Sequence, residues 1–145
     1  MMKKLAFILL AALIGTTAFC NEPGESWVET DDGQTPCEKV VVSKKYITMT
    51  CTDGEQQKIP LNEVSSYSKN GIVYIKHSIY TEAYQPGAKK KDVFMKLVAS
   101  KEGMDLLSFT GSTGVREFVF KGDQLIQELN STNPSRKDFH EFFGI

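Results

Sequence analysis

Apolar side chains repeat every two residues over much of this chain, and this spacing restricts its fold more than any other feature. In residues 92–99, Val93, Met95 and Leu97 fall on one face, and the same alternation recurs in residues 72–80. A period of two is the period of a β-strand, in which successive side chains point to opposite faces of the sheet. The pattern therefore predicts a protein built mainly from strands.

Short turn signals separate these alternating segments. Asn70-Gly71 and Lys121-Gly122-Asp123 each stand between two apolar segments, and such combinations favour tight connections between antiparallel strands. Pro86-Gly87 marks the tip of a longer predicted loop over residues 81–91. We expect about eight short strands, arranged as a small antiparallel barrel or as a sandwich. Residues 60–68 have mixed character and predict a helical turn over the sheet.

The last residues change to a helical period. Asn133 or Ser135 can cap a helix, and Pro134 suits its first turn. Three aromatic residues then fall on one stripe at i, i+3 and i+4, namely Phe139, Phe142 and Phe143. The fold class predicted for the whole chain is all-β, or β-rich α+β, with one short C-terminal helix packed by this stripe against the sheet.

Residues 1–20 have the pattern of a signal peptide. Lys3 and Lys4 precede an uncharged apolar segment at residues 5–14, and small residues follow at 15–18, as a signal peptidase requires. Cleavage after Ala18 or after Cys20 fits this pattern. We therefore expect export to the periplasm or the medium.

Cys20 provides an alternative to a freely secreted protein. A cysteine at the end of a bacterial leader can carry acyl chains that anchor the protein to a membrane. Phe19 precedes this cysteine, whereas lipoproteins usually have a small residue there. A membrane is therefore expected as a partner only if Cys20 is lipidated.

The segment after the leader is acidic and rich in turn formers. Residues 21–36 carry five acidic side chains and no basic one, together with two Pro and two Gly. This composition predicts a solvated spacer. The domain organisation is thus a signal peptide at 1–20, an acidic spacer at 21–36 and a single β-rich domain at 37–145.

Cys37 and Cys51 remain for the folded domain, and an even pair in an exported protein predicts a disulfide. The intervening residues suggest a hairpin with two alternative registers. Pairing Val42 with Tyr46 sets the two cysteines opposite each other. Pairing Val42 with Ile47 gives a cleaner apolar face and sets Cys51 opposite Glu38; both registers leave the sulfurs close together.

Composition and motifs exclude several functional classes. A formal net charge of −1 excludes a strongly basic nucleic-acid binder, and three cysteines are too few for a four-thiolate zinc site. The sequence has no Gly-x-Ser-x-Gly elbow, His-Glu-x-x-His motif or phosphate-binding glycine loop. With only His77 and His140 as imidazoles, we expect neither an enzyme, nor a metal site, nor a cofactor.

The remaining candidate is a binding surface formed by Tyr74, Lys76, Tyr80 and Tyr84. Aromatic side chains can stack on sugars or anchor a protein partner. The sequence thus predicts an exported, non-enzymatic β domain that binds a protein or another envelope component. The alternative is a carrier that holds a small apolar ligand in the mouth of a barrel.

Overall fold

The alternating segments form strands in the computed structural model, which describes residues 26–81, 86–111, 114–130 and 134–145. These residues contain an eight-strand antiparallel sheet, a three-strand sheet and one short C-terminal helix. The predicted β-rich class and terminal helix are therefore confirmed. Within the described residues the larger sheet is not closed into a barrel.

The strands are β1 (Trp27–Thr30), β2 (Gly33–Pro36), β3 (Lys39–Val42), β4 (Tyr46–Thr50), β5 (Gln56–Pro60), β6 (Ser66–Lys69), β7 (Ile72–Ile79), β8 (Lys91–Lys101), β9 (Met104–Gly111), β10 (Gly114–Lys121) and β11 (Gln124–Leu129), and the helix is α1 (Ser135–Phe143). The described residues thus hold eleven strands, where the sequence predicts about eight. One 3-10 turn, Leu61–Glu63, lies within the segment that predicts a helical turn. The chain divides into two units, Met1–Ile72 and Val73–Ile145.

In the first unit, two strands lie within the segment predicted to be a spacer. β1 pairs with β2 and with β6. Val28 is completely buried, and the Ser66 hydroxyl donates a hydrogen bond of 2.8 Å to the Glu29 carboxylate. A buried valine and a cross-strand hydrogen bond hold these residues in the sheet despite their acidic composition.

The first unit also contains the three-strand sheet, in the order β3-β4-β5. Val40 pairs with Met49 and Val42 with Ile47, which is the register favoured by the apolar face. Val40, Ile47 and Met49 are each at most 2% exposed. A slip of one residue between the two strands would turn Val40 to the face opposite Ile47 and Met49, so their shared burial fixes the register.

The turn at Asn70-Gly71 has the predicted conformation. Asn70 has a φ of 54° and Gly71 a φ of 85°, as a two-residue hairpin turn of type I′ requires. The backbone N–H of Asn70 donates a hydrogen bond to the Ser26 hydroxyl, which ties this turn to the beginning of β1.

In the second unit, β7, β8, β9, β10 and β11 lie side by side in chain order. We call one face of these strands the inner face; its buried cluster is Ile79, Met95, Leu107, Phe118 and Phe120. The opposite, outer face has a second cluster of Leu106, Val119 and Leu129, against which Phe139 and Phe143 of α1 pack. Leu106 and Leu107 point to opposite faces because they are successive residues of a strand. The register shift beside them pairs Leu106 with Ala99 and Leu107 with Leu97, so that Ala99 packs against the outer cluster and Leu97 against the inner one.

The terminal helix ends with Gly144, whose φ of 81° is left-handed. The N–H groups of Gly144 and Ile145 donate to the carbonyls of Glu141 and His140, so the last turn is capped by backbone. Pro134 occupies the N-cap position and no side chain caps the first turn. The helix thus depends mainly on its packing, as expected for a short helix.

Candidate functional site

The inner face of the second unit is a filled core. The imidazole of His77 on β7 stacks on the ring of Phe120 on β10, with 3.8 Å between ring centroids. The guanidinium of Arg116, also on β10, donates a hydrogen bond of 2.8 Å to the Tyr80 carbonyl. Because β8 and β9 separate these strands in the sheet, the sheet must curl until side chains from β7 and β10 meet across its inner face.

Arg116 adds electrostatic interactions to this contact across the inner face. Its guanidinium makes a two-pronged ion pair with Glu128 on β11, at 2.8 and 3.0 Å, and lies 5.0 Å above the Phe118 ring centroid. The hydrogen bonds that Arg116 donates to the Glu128 carboxylate raise the pKa of Arg116 above its usual range. The arginine therefore joins β7, β10 and β11 and holds the curl in place.

The imidazole of His77 is buried in this core. It is 8% exposed, and its Nε2 has no hydrogen-bond partner among the described residues. Burial lowers its pKa, while the more distant charges of Asp123 and Asp105 oppose that effect. Phe120 occupies the face of the ring, so His77 packs as a core residue instead of lying open in a cleft.

The outer face carries three of the four residues predicted to form a binding surface. Tyr74, Lys76 and Tyr80 are each partly exposed and share one face by the period of two. Tyr84 lies outside the described residues. The predicted patch therefore places its described members on a surface opposite the filled core.

The structure adds residues from β8 and the preceding loop to this patch. Tyr74 pairs across the strands with Lys96, and Lys76 pairs with Phe94. Beyond the end of β7, the Lys90 ammonium lies 5.6 Å from the Tyr80 ring centroid. We call these six residues the aromatic–lysine face: Tyr74, Lys76, Tyr80, Lys90, Phe94 and Lys96.

Each pair on this face combines one aromatic ring with one lysine. Between the second and third pairs, the Ser78 hydroxyl donates a hydrogen bond to the Asp92 carboxylate. Phe94 and Lys96 are not part of the patch predicted from the sequence, although the spacing of side chains along β8 indicates their face. They alternate with Val93, Met95 and Leu97, which belong to the inner face, so they had to point to the outer one.

The helix covers the neighbouring part of the outer face. Glu117 on β10 accepts hydrogen bonds from Arg136 at 3.2 Å and pairs with His140 at 2.9 Å. Lys101 donates to the carbonyl of Phe142 and lies 4.9 Å from the centroid of its ring. The outer cluster of Leu106, Val119 and Leu129 is thereby covered within the unit, and the aromatic–lysine face lies beside it.

The two cysteines lie close to one another in the first unit. Cys37 is buried, and its backbone N–H donates to the Ser26 carbonyl. Burial, with a smaller contribution from Cys51, raises the pKa of the Cys37 thiol to about 11. The described residues contain no disulfide, so the bridge between Cys37 and Cys51 stays a prediction.

An open groove of about 390 Å³ also lies in the first unit, and its lining residues are Glu38, Lys39, Val40, Val41, Thr50, Lys69 and Asn70. Two lysines and one glutamate give it a mixed polar lining. This lining differs from the predominantly apolar cavity that a carrier of an apolar ligand requires.

Across the described ranges, no group of three or more His, Cys, Asp or Glu side chains could hold a metal ion. None of the described helices is long and apolar enough to span a membrane. Since Phe94 and Lys96 extend the patch predicted from the sequence, we take the aromatic–lysine face as the candidate site. No protein-family model, curated protein or solved structure matches the chain.

Proposed function

We propose that this chain is an exported, non-enzymatic β domain that binds a protein or another envelope component through its aromatic–lysine face. The observation that carries the proposal is the pairing of Tyr74 with Lys96 and of Lys76 with Phe94 on adjacent strands. Aromatic rings supply contact area at a small cost in side-chain entropy, and the ammonium groups beside them supply charge.

The position of these residues supports a binding role. All the described rings of this face are partly exposed. Tyr74 and Phe94 lie on strands whose opposite faces pack in the inner core. Such a face is preorganised, because the strands fix the spacing of the rings before a partner arrives. Binding would then require little loss of conformational entropy in the protein.

The packing of the inner face favours this function over the carrier alternative. Met95, Leu107 and Phe118 are each at most 1% exposed, so side chains occupy the region where a barrel would hold a ligand. Native mass spectrometry of the protein purified from its own envelope separates the two. A stoichiometric mass that is lost on denaturation would favour the carrier, and a bare mass the binding module.

Export is the second part of the proposal, and it rests on the leader pattern. In an oxidising compartment, Cys37 and Cys51 would form a disulfide by losing two protons and two electrons to a disulfide of an oxidising protein, which is reduced to a dithiol. The bridge would link the two ends of the β3–β4 hairpin, and loop entropy predicts a contribution of about 3 kcal/mol.

Mass spectrometry of the exported protein tests this step. The intact chain is expected to be lighter by two hydrogen atoms than its reduced form, and the Cys37→Ala/Cys51→Ala variant should unfold at a lower temperature. Two free thiols in the exported protein, together with an unchanged melting temperature of the variant, would exclude the bridge.

Site-specific photocrosslinking in the producing cell tests the binding surface. Benzoylphenylalanine at Tyr74 or at Phe94 should give a discrete adduct. Tyr46 provides the matched control, because it is a 44% exposed tyrosine in the first unit with the Lys58 ammonium 5.9 Å from its ring. Adducts from Tyr46 equal to those from Tyr74 and Phe94, or no adduct from the latter two, would overturn the proposal.

A further inference from the structure

The charge on the aromatic–lysine face restricts what can bind there. Lys76, Lys90 and Lys96 bring three positive charges, and Asp92, which accepts a hydrogen bond from the Ser78 hydroxyl, brings one negative charge. Lys89 and Lys91 are exposed beside Lys90. Among the described residues the face is therefore basic, although the whole chain has a net charge of −1. A complementary partner carries negative charge.

The spacing of the face indicates an extended partner. Tyr74 and Lys76 lie along one side of β7 and Tyr80 directly follows its last residue. Extended chain rises about 3.4 Å per residue, so the distance from Tyr74 to Tyr80 is roughly 20 Å. An aromatic ring and a lysine face each other in two cross-strand pairs with β8, and Ser78 opposite Asp92 separates these pairs from Tyr80. A partner that matches this pattern repeats both a flat surface and a negative charge along its own length.

Two other anionic partners fit the face less well. β8 is hydrogen-bonded to β7 on one side and to β9 on the other, so its backbone offers no edge to which an acidic peptide could add as a strand. The rings of Tyr74, Tyr80 and Phe94 are only partly exposed, whereas membrane-binding segments bury an apolar face in the lipid.

We propose that the partner is a linear anionic polysaccharide whose sugar rings stack on Tyr74, Phe94 and Tyr80, while its acidic groups pair with Lys76, Lys90 and Lys96. This inference rests on the proposed binding function and specifies its partner. Sugars with carboxylate groups supply a flat ring face and a charge in each repeating unit, which is the combination that the cross-strand pairs present.

Binding of the purified protein to polygalacturonate, with neutral dextran as the uncharged comparison, tests the inference. We expect polygalacturonate to bind and dextran not to bind. The variant Lys76→Gln/Lys96→Gln should weaken binding about tenfold, because two charge pairs are lost at the site. Tyr74→Ala/Phe94→Ala should weaken it by a similar factor through the loss of stacking.

Lys44→Gln/Lys45→Gln is the matched control, since it removes the same charge from the exposed turn between β3 and β4. It should leave binding within twofold of the wild type. Equal losses in the two lysine variants would indicate nonspecific charge attraction and overturn the inference. Binding of poly-glutamate or of anionic phospholipid vesicles as tightly as polygalacturonate would also overturn it.

The test with polygalacturonate and the photocrosslinking test of the binding surface can fail independently of each other. If the protein ignores polygalacturonate but still gives discrete photocrosslinks from Tyr74 and Phe94, the face binds another partner and only the polysaccharide is excluded. If both experiments fail, the face is not a binding site.

Discussion

The inner and outer faces of strands β7 to β11 are built from alternating residues of the same strands, yet they differ in what covers them. On the inner face, Met95, Leu107 and Phe118 are at most 1% exposed, and His77 stacks on Phe120 across the sheet. On the outer face, α1 covers one apolar cluster, and the aromatic–lysine face lies beside it.

This difference separates the face that stabilises the curled sheet from the face that we propose binds a partner. Curling brings β7 and β10 together on the inner side, so the apolar residues there shield one another from water. The outer side cannot shield itself in this way and needs the helix. The part of it that the helix does not cover carries Lys76 and Lys96 beside aromatic rings, a composition that remains soluble while it offers contact area.

The largest effect on stability is expected from the inner face. Phe118→Ala would empty a fully buried site, and such substitutions destabilise by about 3–5 kcal/mol. Urea denaturation of the variant and the wild type measures this loss. A loss below about 1 kcal/mol would show that the inner face is not the core of the unit.

A smaller loss is expected where the helix meets the outer face. Phe143→Ala removes a partly buried ring that packs against Leu106, Val119 and Leu129. Since this ring retains some exposure, we expect a loss of about 1–3 kcal/mol, below that of Phe118→Ala. The same denaturation series checks the order of the two variants, and the reverse order would contradict the comparison.

His77 provides a test of the inner face through pH. Burial lowers its pKa in the folded protein, so the unfolded chain takes up its proton first as the pH falls through about 6.5. The stabilising effect of the neutral ring is complete above that pH and declines as the pH falls toward the folded pKa. Asp105 and Asp123 oppose the shift and limit the effect.

Urea titrations between about pH 7.5 and pH 5.5 measure this dependence, within a window that avoids most carboxylate titration. His77→Phe should reduce the slope of unfolding free energy against pH, and His140, which faces Glu117 on the outer side, serves as the retained imidazole. An unchanged slope in His77→Phe would mean that His77 is not a buried neutral ring.

The smallest effect on stability is expected from the aromatic–lysine face itself. Lys76→Gln/Lys96→Gln should change the unfolding free energy by less than about 0.5 kcal/mol, because exposed charges contribute little to stability, while it weakens partner binding. Thermal unfolding and the binding assay on the same samples measure both. A large loss of stability would assign these lysines to the structure instead of to recognition.

Much of the fold follows from the sequence because it depends on local periodicity. The apolar face of residues 39–50 selects the register in which Val40 opposes Met49, and the phenylalanine stripe predicts the helix that packs by Phe139 and Phe143. Both predictions need only the spacing of side chains along one element and the burial of one face.

The remaining features depend on contacts between distant segments. Residues 27–36 resemble a spacer in composition, and only pairing with β6 and the burial of Val28 reveal β1 as a strand. The curl of the sheet depends on Arg116 reaching Tyr80, 36 residues away. The spacing along β7 is enough to predict that Tyr74 and Lys76 share a face. Their partners on β8 can be identified only from the register between the two strands, which depends on contacts between distant segments.

An NMR titration with polygalacturonate tests most directly whether the outer face, and not the inner one, meets the partner. We expect shifts of the amide and ring signals of Tyr74 and Phe94 and of the amide signals of Lys76 and Lys96, while the ring signals of Phe118 and Phe120 stay unchanged. Absence of any shift, or shifts centred on the inner-face rings or on Tyr46, would contradict the account.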